Sequence, residues 1–412
     1  MNMKRSMLKK YANLIAVSGA NVQKGQPVII DASVDQYEFV TLVMEACYRA
    51  GASKVRVDWS NQEQTKLAYQ YQSLEELSKV AEWQKARLQE AVDELPARIY
   101  IVSDDPAGLA GIDREKMMKA RQATYPIVKP YRDAIENKYQ WTIAAVPSKA
   151  WAKKVFPELS AAKAVEKLWE NILMTCHVTE DNDPVAAWQE HDRQFIARSR
   201  WLNEHHFDAV TYHSANGTDF RAELIPVGQW CGGGETTLGG IFFNPNMPTE
   251  EIFTSPMRGK AEGTLVSTKP LSYQGQIIDG FSITFKEGKE VSWKAKVGEE
   301  LLSQMIHMDE GAAYLGELAL VPCDSPINNS GVLFYETLFD ENASCHVALG
   351  RGFNDCIEDY QQRTDEECKA LGINDSMIHT DFMIGAPDLC ITGWKNGEPT
   401  PIFVNGEWAV KL

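Results

Sequence analysis

Between Val28 and Ala145, short apolar runs alternate with longer amphipathic ones, and this alternation limits the fold more than any other feature of the chain. Residues 28–32 read as a buried strand after the turn signal Lys24-Gly25. Residues 36–50 have the 3.6-residue period of a helix and stop at Gly51, a glycine that can take the left-handed terminal conformation. Strands are expected at 54–59, 98–102 and 140–145, and helices at 74–94 and 114–136. Strand–helix alternation of this kind predicts a mainly parallel sheet with helices on both faces.

The pattern then changes. Two helical stretches, 161–174 and 184–203, flank the polar run Thr179-Glu180-Asp181-Asn182-Asp183-Pro184, the best candidate linker. From Asp208 onward short strands punctuated by turn residues dominate, at 209–213, 219–224, 263–268, 280–286, 291–296, 315–321, 331–338 and 402–404. The expectation is an α/β N-terminal domain with a mainly parallel sheet over residues 1–183, followed by a β-rich α+β C-terminal domain over 184–412.

Charge narrows the partners. A net charge of −16 argues against nucleic acid or an anionic membrane surface, because both recruit clustered Lys and Arg. The N-terminus carries Leu8, Tyr11, Ala12, Leu14 and Ile15 at helical spacing with Lys9, Lys10 and Asn13 between them, so it reads as an amphipathic helix rather than a secretory segment. No run approaches the ~18 apolar residues of a membrane span. Eight cysteines with no C-x-x-C pair are expected to be reduced and structural, in a cytoplasmic chain.

Chemistry concentrates in the second half. In His379-Thr380-Asp381-Phe382-Met383-Ile384-Gly385, a strand would put Met377, His379, Asp381 and Met383 on one side and Ile378, Thr380, Phe382 and Ile384 on the other. An imidazole and a carboxylate among apolar neighbours each need a partner, either one another or a divalent metal. Glu317 interrupts the apolar run 314–322, and His346 follows Glu341 by five residues. Glu250 and Glu251 follow Pro248-Thr249, where a helix-opening cap is the competing explanation. His177, His191, His205 and His206 are expected at the surface or at an interface. A mixed carboxylate and imidazole set without thiolate suits Zn²⁺, Co²⁺ or Mn²⁺. Four carboxylates are neutralised by two divalent cations and not by one, and paired cations point to hydrolysis. Cys345 beside His346 is no catalytic dyad, since neighbours on a strand face apart, and neither a G-x-S-x-G elbow nor a P-loop is present. The loop Gly232-Gly233-Gly234-Glu235 reads as a turn device.

Longer motifs carry a resemblance. Gly19-Ala20-Asn21-Val22-Gln23-Lys24-Gly25, Asn246-Met247-Pro248-Thr249-Glu250-Glu251-Ile252-Phe253-Thr254, Gly316-Glu317-Leu318-Ala319-Leu320-Val321, Asp340-Glu341-Asn342-Ala343-Ser344-Cys345-His346 and the His379 segment occur in one order over nearly the whole chain. In these the chain resembles the aminopeptidase T / aminopeptidase S family of metallopeptidases. The resemblance implies a homodimer that releases N-terminal amino acids from peptides with a free N-terminus, through water activated by two divalent ions (Zn, Co or Mn). It implies metal ligands at Glu251, Glu317, Glu341, His346, His379 and Asp381, with Glu317 as the bridging carboxylate. Glu250 and Glu317 are the candidate catalytic bases, Glu250 the weaker because extended neighbours face apart. One position departs: the family commonly has a tyrosine seven residues after the motif histidine, and here it is Phe353, which removes a hydroxyl. Two alternatives are carried forward, a metal-stabilised peptide-binding protein with weak or no turnover and a phosphoesterase. The latter is disfavoured by the scarcity of Lys and Arg around the ligand motifs.

Overall fold

The computed structural model of the protein describes residues 4–273 and 276–412. The chain forms two compact units, one holding residues up to Gln189 together with Gly234–Pro248, the other Glu190–Gly233 with Thr249–Leu412.

In the first unit, strands β1 (Pro27–Ser33), β2 (Lys54–Ser60), β3 (Ala97–Val102) and β4 (Trp141–Ala145) are all parallel. Their order is β4-β3-β1-β2, and the two-residue strand Asn246–Met247 adds to β4. The α/β expectation is met. One face of this sheet is apolar and buried, with Val28, Ile30, Ala32, Ala97, Ile99 and Ile101. The opposite face carries Asp31, Arg56, Asp58 and Arg98, cross-linked by ion pairs that include Arg56 Nη1 to Glu90 Oε2 at 2.7 Å and Arg98 Nη2 to Asp31 Oδ2 at 3.4 Å. Helix Tyr37–Ala50 ends at Gly51 with φ +112°, as its sequence predicts. The single helix expected over 74–94 is two helices, Leu74–Leu77 and Glu82–Glu94. Ser78 Oγ bonds back to Leu74 O at 2.7 Å, and the Gln84 side chain accepts the Ala81 N–H at 2.7 Å, so local polar groups close one helix and open the next. Among the described residues no helix is long and apolar enough to cross a membrane.

The second unit contains an eight-stranded antiparallel sheet running from Lys289–Lys294 at one edge to Glu407–Trp408 at the other. Beside it is a five-stranded antiparallel sheet made of β5 (Cys231–Gly232), β6 (Ile252–Thr254), β7 (Leu315–Leu320), β8 (His346–Gly350) and β9 (His379–Met383), in the order β9-β8-β7-β6-β5. The strand expected over 331–338 is instead a turn followed by the helix Thr337–Asp340. Asp340 accepts the N–H of Phe334 at 2.7 Å and of Glu336 at 3.2 Å, and Tyr335 takes φ +56°, so a buried carboxylate curls a segment whose apolar residues suggest extension.

Candidate metal centre

The five-stranded sheet has two unlike faces. Ile252, Leu318, Leu320, Val347, Leu349 and Phe382 point into the main hydrophobic core of the unit. Strand alternation sends their neighbours to the other side, and cross-strand pairing lines these up: Glu317 opposite Ala348, Ala348 opposite Asp381, Gly350 opposite His379, and Ala319 opposite His346. Ala348 is small, which leaves room for the carboxylates of Glu317 and Asp381 to converge above it. The expected sharing of one side by His379 and Asp381 is what the strand does.

One irregularity makes this face possible. Leu315 pairs with Leu349 while Glu317 pairs with Ala348, so an extra residue, Gly316, is inserted in β7. Leu315 and Glu317 are two apart and on a regular strand would share a face. The bulge lets Leu315 join the core while Glu317 turns to the titratable side. A Cβ on Gly316 would lie 2.2 Å from Arg351 O, so only glycine fits there.

The side chains meet in two overlapping groups. Ligand atoms of Glu251, Glu317 and His346 lie within 4.8 Å of one another, and so do those of Glu317, His379 and Asp381, with Glu317 common to both. His346 Nε2 is 3.1 Å from Glu251 Oε2. His379 Nε2 is 3.1 Å from Glu317 Oε2 and 3.3 Å from Asp381 Oδ1. Glu341 joins neither group at that spacing, but its carboxylate feels the charges of Asp381, Glu251 and Glu317.

Burial and mutual repulsion set the protonation. Burial pushes Glu317 up to about 7, with Asp381 and Glu251 adding to the rise and His379 opposing it. Glu341 is pushed well above the carboxylate range by burial and by Asp381, Glu251 and Glu317. Burial would lower both imidazoles, but the carboxylates outweigh it: Glu251 chiefly lifts His346 to about 9, and Asp381 with Glu317 lifts His379 to about 12. Asp381 would rise through burial, yet His379 and His346 hold it down at about 2.

The donor set fits divalent cations. His346 Nδ1 lies 3.2 Å from Ser344 O and His379 Nδ1 lies 2.7 Å from Arg351 O. A carbonyl only accepts, so each Nδ1 carries hydrogen and each Nε2 is left to face the carboxylates as a ligand. Protons on Nε2 occupy the places where metal cations would bind. Asp381 Oδ1 is buried and meets His379 Nε2 at 3.3 Å without a well-formed hydrogen bond, a shortfall that coordination would remove.

Two residues stand apart from the sequence-based picture. Glu250 turns toward His191, with Oε2 3.4 Å from His191 Nε2, rather than toward the two groups. His191 is largely buried and stacks on Phe195 at 4.3 Å, so of the surface or interface position expected for it, the surface one does not hold. The only available signal was its place four residues before Phe195 on helix Pro184–His205, and that alone did not specify contact with Glu250. Phe353 packs its ring 4.8 Å from the ring of His379 and 5.4 Å from Phe253, which puts the departing position directly beside a candidate ligand.

Comparison with known proteins shows the family of the chain. Residues 4–408 match the family model described as thermophilic metalloprotease (M29). Aminopeptidase AmpS of Bacillus subtilis (strain 168) is 43% identical over 404 residues, 98% of each chain. Aminopeptidase 2 of Geobacillus stearothermophilus is 38% identical over 414 residues and 100% of each chain. The solved structure of wild-type AmpT from Thermus thermophilus superposes with a TM-score of 0.89 at 36% identity, covering 98% of this chain and 100% of that one.

Proposed function

The chain belongs to the thermophilic metalloprotease (M29) family and is a metal-dependent aminopeptidase, and we propose that it acts through two divalent cations held on the titratable face of the five-stranded sheet. One observation carries the count of two: the pair of ligand groups that share Glu317. Glu251 and His346 would hold one ion and His379 and Asp381 the other, with Glu317 between them and Glu341 completing the set. When bound, such ions lower the pKa of a water molecule and polarise a carbonyl oxygen. Zn²⁺, Co²⁺ and Mn²⁺ all suit these donors.

The chain's own groups supply the rest. The backbone carbonyls of Ser344 and Arg351 hold both imidazoles in one tautomer. Of the two candidate bases, Glu317 lies within the ligand groups, so it is the one we assign to receive a proton. Glu250 is directed at His191 and is the weaker candidate. Phe253 and Phe353 offer an apolar wall beside His379 that excludes water from one side of the site. Substrates are peptides with a free N-terminus, and the working form is a homodimer in the cytoplasm.

The test is hydrolysis of unblocked and N-acetylated Leu-, Arg- and Phe-containing peptides by chelator-stripped protein with Zn²⁺, Co²⁺ or Mn²⁺ restored. Metal-dependent release of N-terminal residues from the unblocked peptides alone is the expected result. Phe353 favours one other reading, peptide capture with little turnover, since it puts a ring where a hydroxyl could have served the reaction. Bound metal and bound peptide without release would support that alternative.

A further inference from the structure

Four of the six candidate ligands sit on paired strands: Glu317 on β7, His346 on β8, and His379 and Asp381 on β9. The sheet ladder fixes their backbones. Glu251 and Glu341 have no such support. Glu251 precedes Ile252, the first paired residue of β6, and Glu341 lies on the short 3-10 turn Glu341–Ala343.

The side chain of Asn342 connects these two segments. Asn342 is fully buried. Its Oδ1 accepts the N–H of Glu250 at 2.7 Å, across 92 residues of sequence. Its Nδ2 donates to Leu338 O at 3.0 Å and lies 3.5 Å from Glu341 Oε1, while its own carbonyl accepts from Ser325 Oγ at 2.7 Å. On the other side of Glu341, Asp340 is held by the N–H groups of Phe334 and Glu336. Glu341 is therefore flanked by two residues that are each anchored elsewhere, and its carboxylate lies near enough to Asp381, Glu251 and Glu317 to feel their charges.

We infer that Asn342 is a positioning residue of the metal centre, clamping the backbone before Glu251 to the turn that bears Glu341 so that the two ligands outside the sheet are set before metal arrives. The inference rests on the dinuclear reading above. Its chemistry is that of an outer-shell amide: it touches neither substrate nor metal, and it acts through the two carboxylates it places.

The experiment is metal titration of chelator-stripped protein with Zn²⁺ and with Co²⁺, following bound metal per chain and the visible Co²⁺ spectrum, in wild type, Asn342→Ala and Ser325→Ala. Asn342→Ala should weaken one of the two ions by about 10–100-fold and leave the other near its wild-type affinity. Activity should fall through kcat at limiting metal, with KM little changed, and recover in excess metal. Ser325→Ala removes a buried hydrogen bond to the same residue's backbone without separating the two segments, and it should keep the wild-type titration. Wild-type titration in Asn342→Ala, whatever its melting temperature, overturns the inference. Hydrogen exchange in the metal-free wild type decides the matter if the variant does not fold. The Glu250 amide should exchange at least about 100-fold more slowly than an open amide, and exchange at the open rate overturns the clamp. Failure of wild type to bind two ions would instead overturn the dinuclear reading, and the exchange result would still report on the clamp separately.

Discussion

The parallel sheet of the first unit and the five-stranded sheet of the second both place charged side chains on one face, but they balance them differently. In the first, Asp31, Asp58 and Glu90 meet Lys54, Arg56, Arg87 and Arg98 in a network of ion pairs. In the second, Glu251, Glu317, Glu341 and Asp381 have two imidazoles and, among the described residues, no paired lysine or arginine. A partly exposed charge network that the protein neutralises itself is complete as it stands. One left with excess negative charge can be completed by protons or by cations, and its protonation already responds to that deficit. The comparison separates a structural charged face from a functional one without reference to any relative.

The largest expected effect comes from removing the shared carboxylate. Glu317→Gln should lower kcat/KM for an unblocked leucine substrate on the order of 10³-fold or more while the far-ultraviolet spectrum and melting cooperativity are kept. Arg98→Met in the other sheet should do the reverse. Activity per folded molecule stays at wild type, and denaturant titration shows about 1–3 kcal/mol of lost stability, discounted because the side chain of Arg98 is 25% exposed. Similar activity losses from both variants would erase the distinction.

Gly316→Ala tests how the second face is built. A Cβ 2.2 Å from Arg351 O forces the bulge to shift, so we expect a loss of about 2 kcal/mol or more and weaker metal binding together. Stability lost with an unchanged metal titration would show that Glu317 reaches the cluster without the bulge.

Chelation should make the second face respond to pH. Glu317 rises from 4.5 to about 7 on folding, and an acid with a raised folded value destabilises the fold as pH climbs through that window. His346 rises from 6.5 to about 9, so its contribution is full below 6.5 and lost by about 9. Asp381 is lowered from 3.8 to about 2, so its contribution holds above 3.8 and disappears toward 2. Metal-free protein should therefore lose stability as pH rises from about 4.5 to 9, whereas metal stabilises it increasingly over the same range because binding releases those protons. Parallel melting curves with and without metal across this range would break the assignment. The smallest effect is expected from Phe353→Tyr, which adds a hydroxyl beside His379 and should change kcat by less than about tenfold, measured at saturating metal.

Much of this was legible in the chain. Alternation of apolar and polar residues identified the parallel α/β unit, and it put His379 and Asp381 on one side of a strand. Both follow from side-chain period, which is local. The His346 and Glu317 motifs marked carboxylates and an imidazole in apolar runs, where a polar group needs a partner. The segment 331–338 has the apolar content of a strand, but Asp340 accepts from backbone amides four and six residues away and bends it, a side-chain bond that the apolar pattern does not show.

Sequence alone determined which residues carry charge, which runs must be buried, and that the buried charge is in excess. These depend on composition and on a two- or 3.6-residue period, and no long-range contact is required. Tertiary structure decided which of the charged groups meet. Glu250 and Glu251 are neighbours in sequence, yet one faces His191 and the other His346. Glu317 reaches the cluster because a bulge at Gly316 reverses the parity of its strand. Asn342 ties together segments 92 residues apart. Each of these outcomes is set by register and close packing between distant parts of the chain, which no local period encodes.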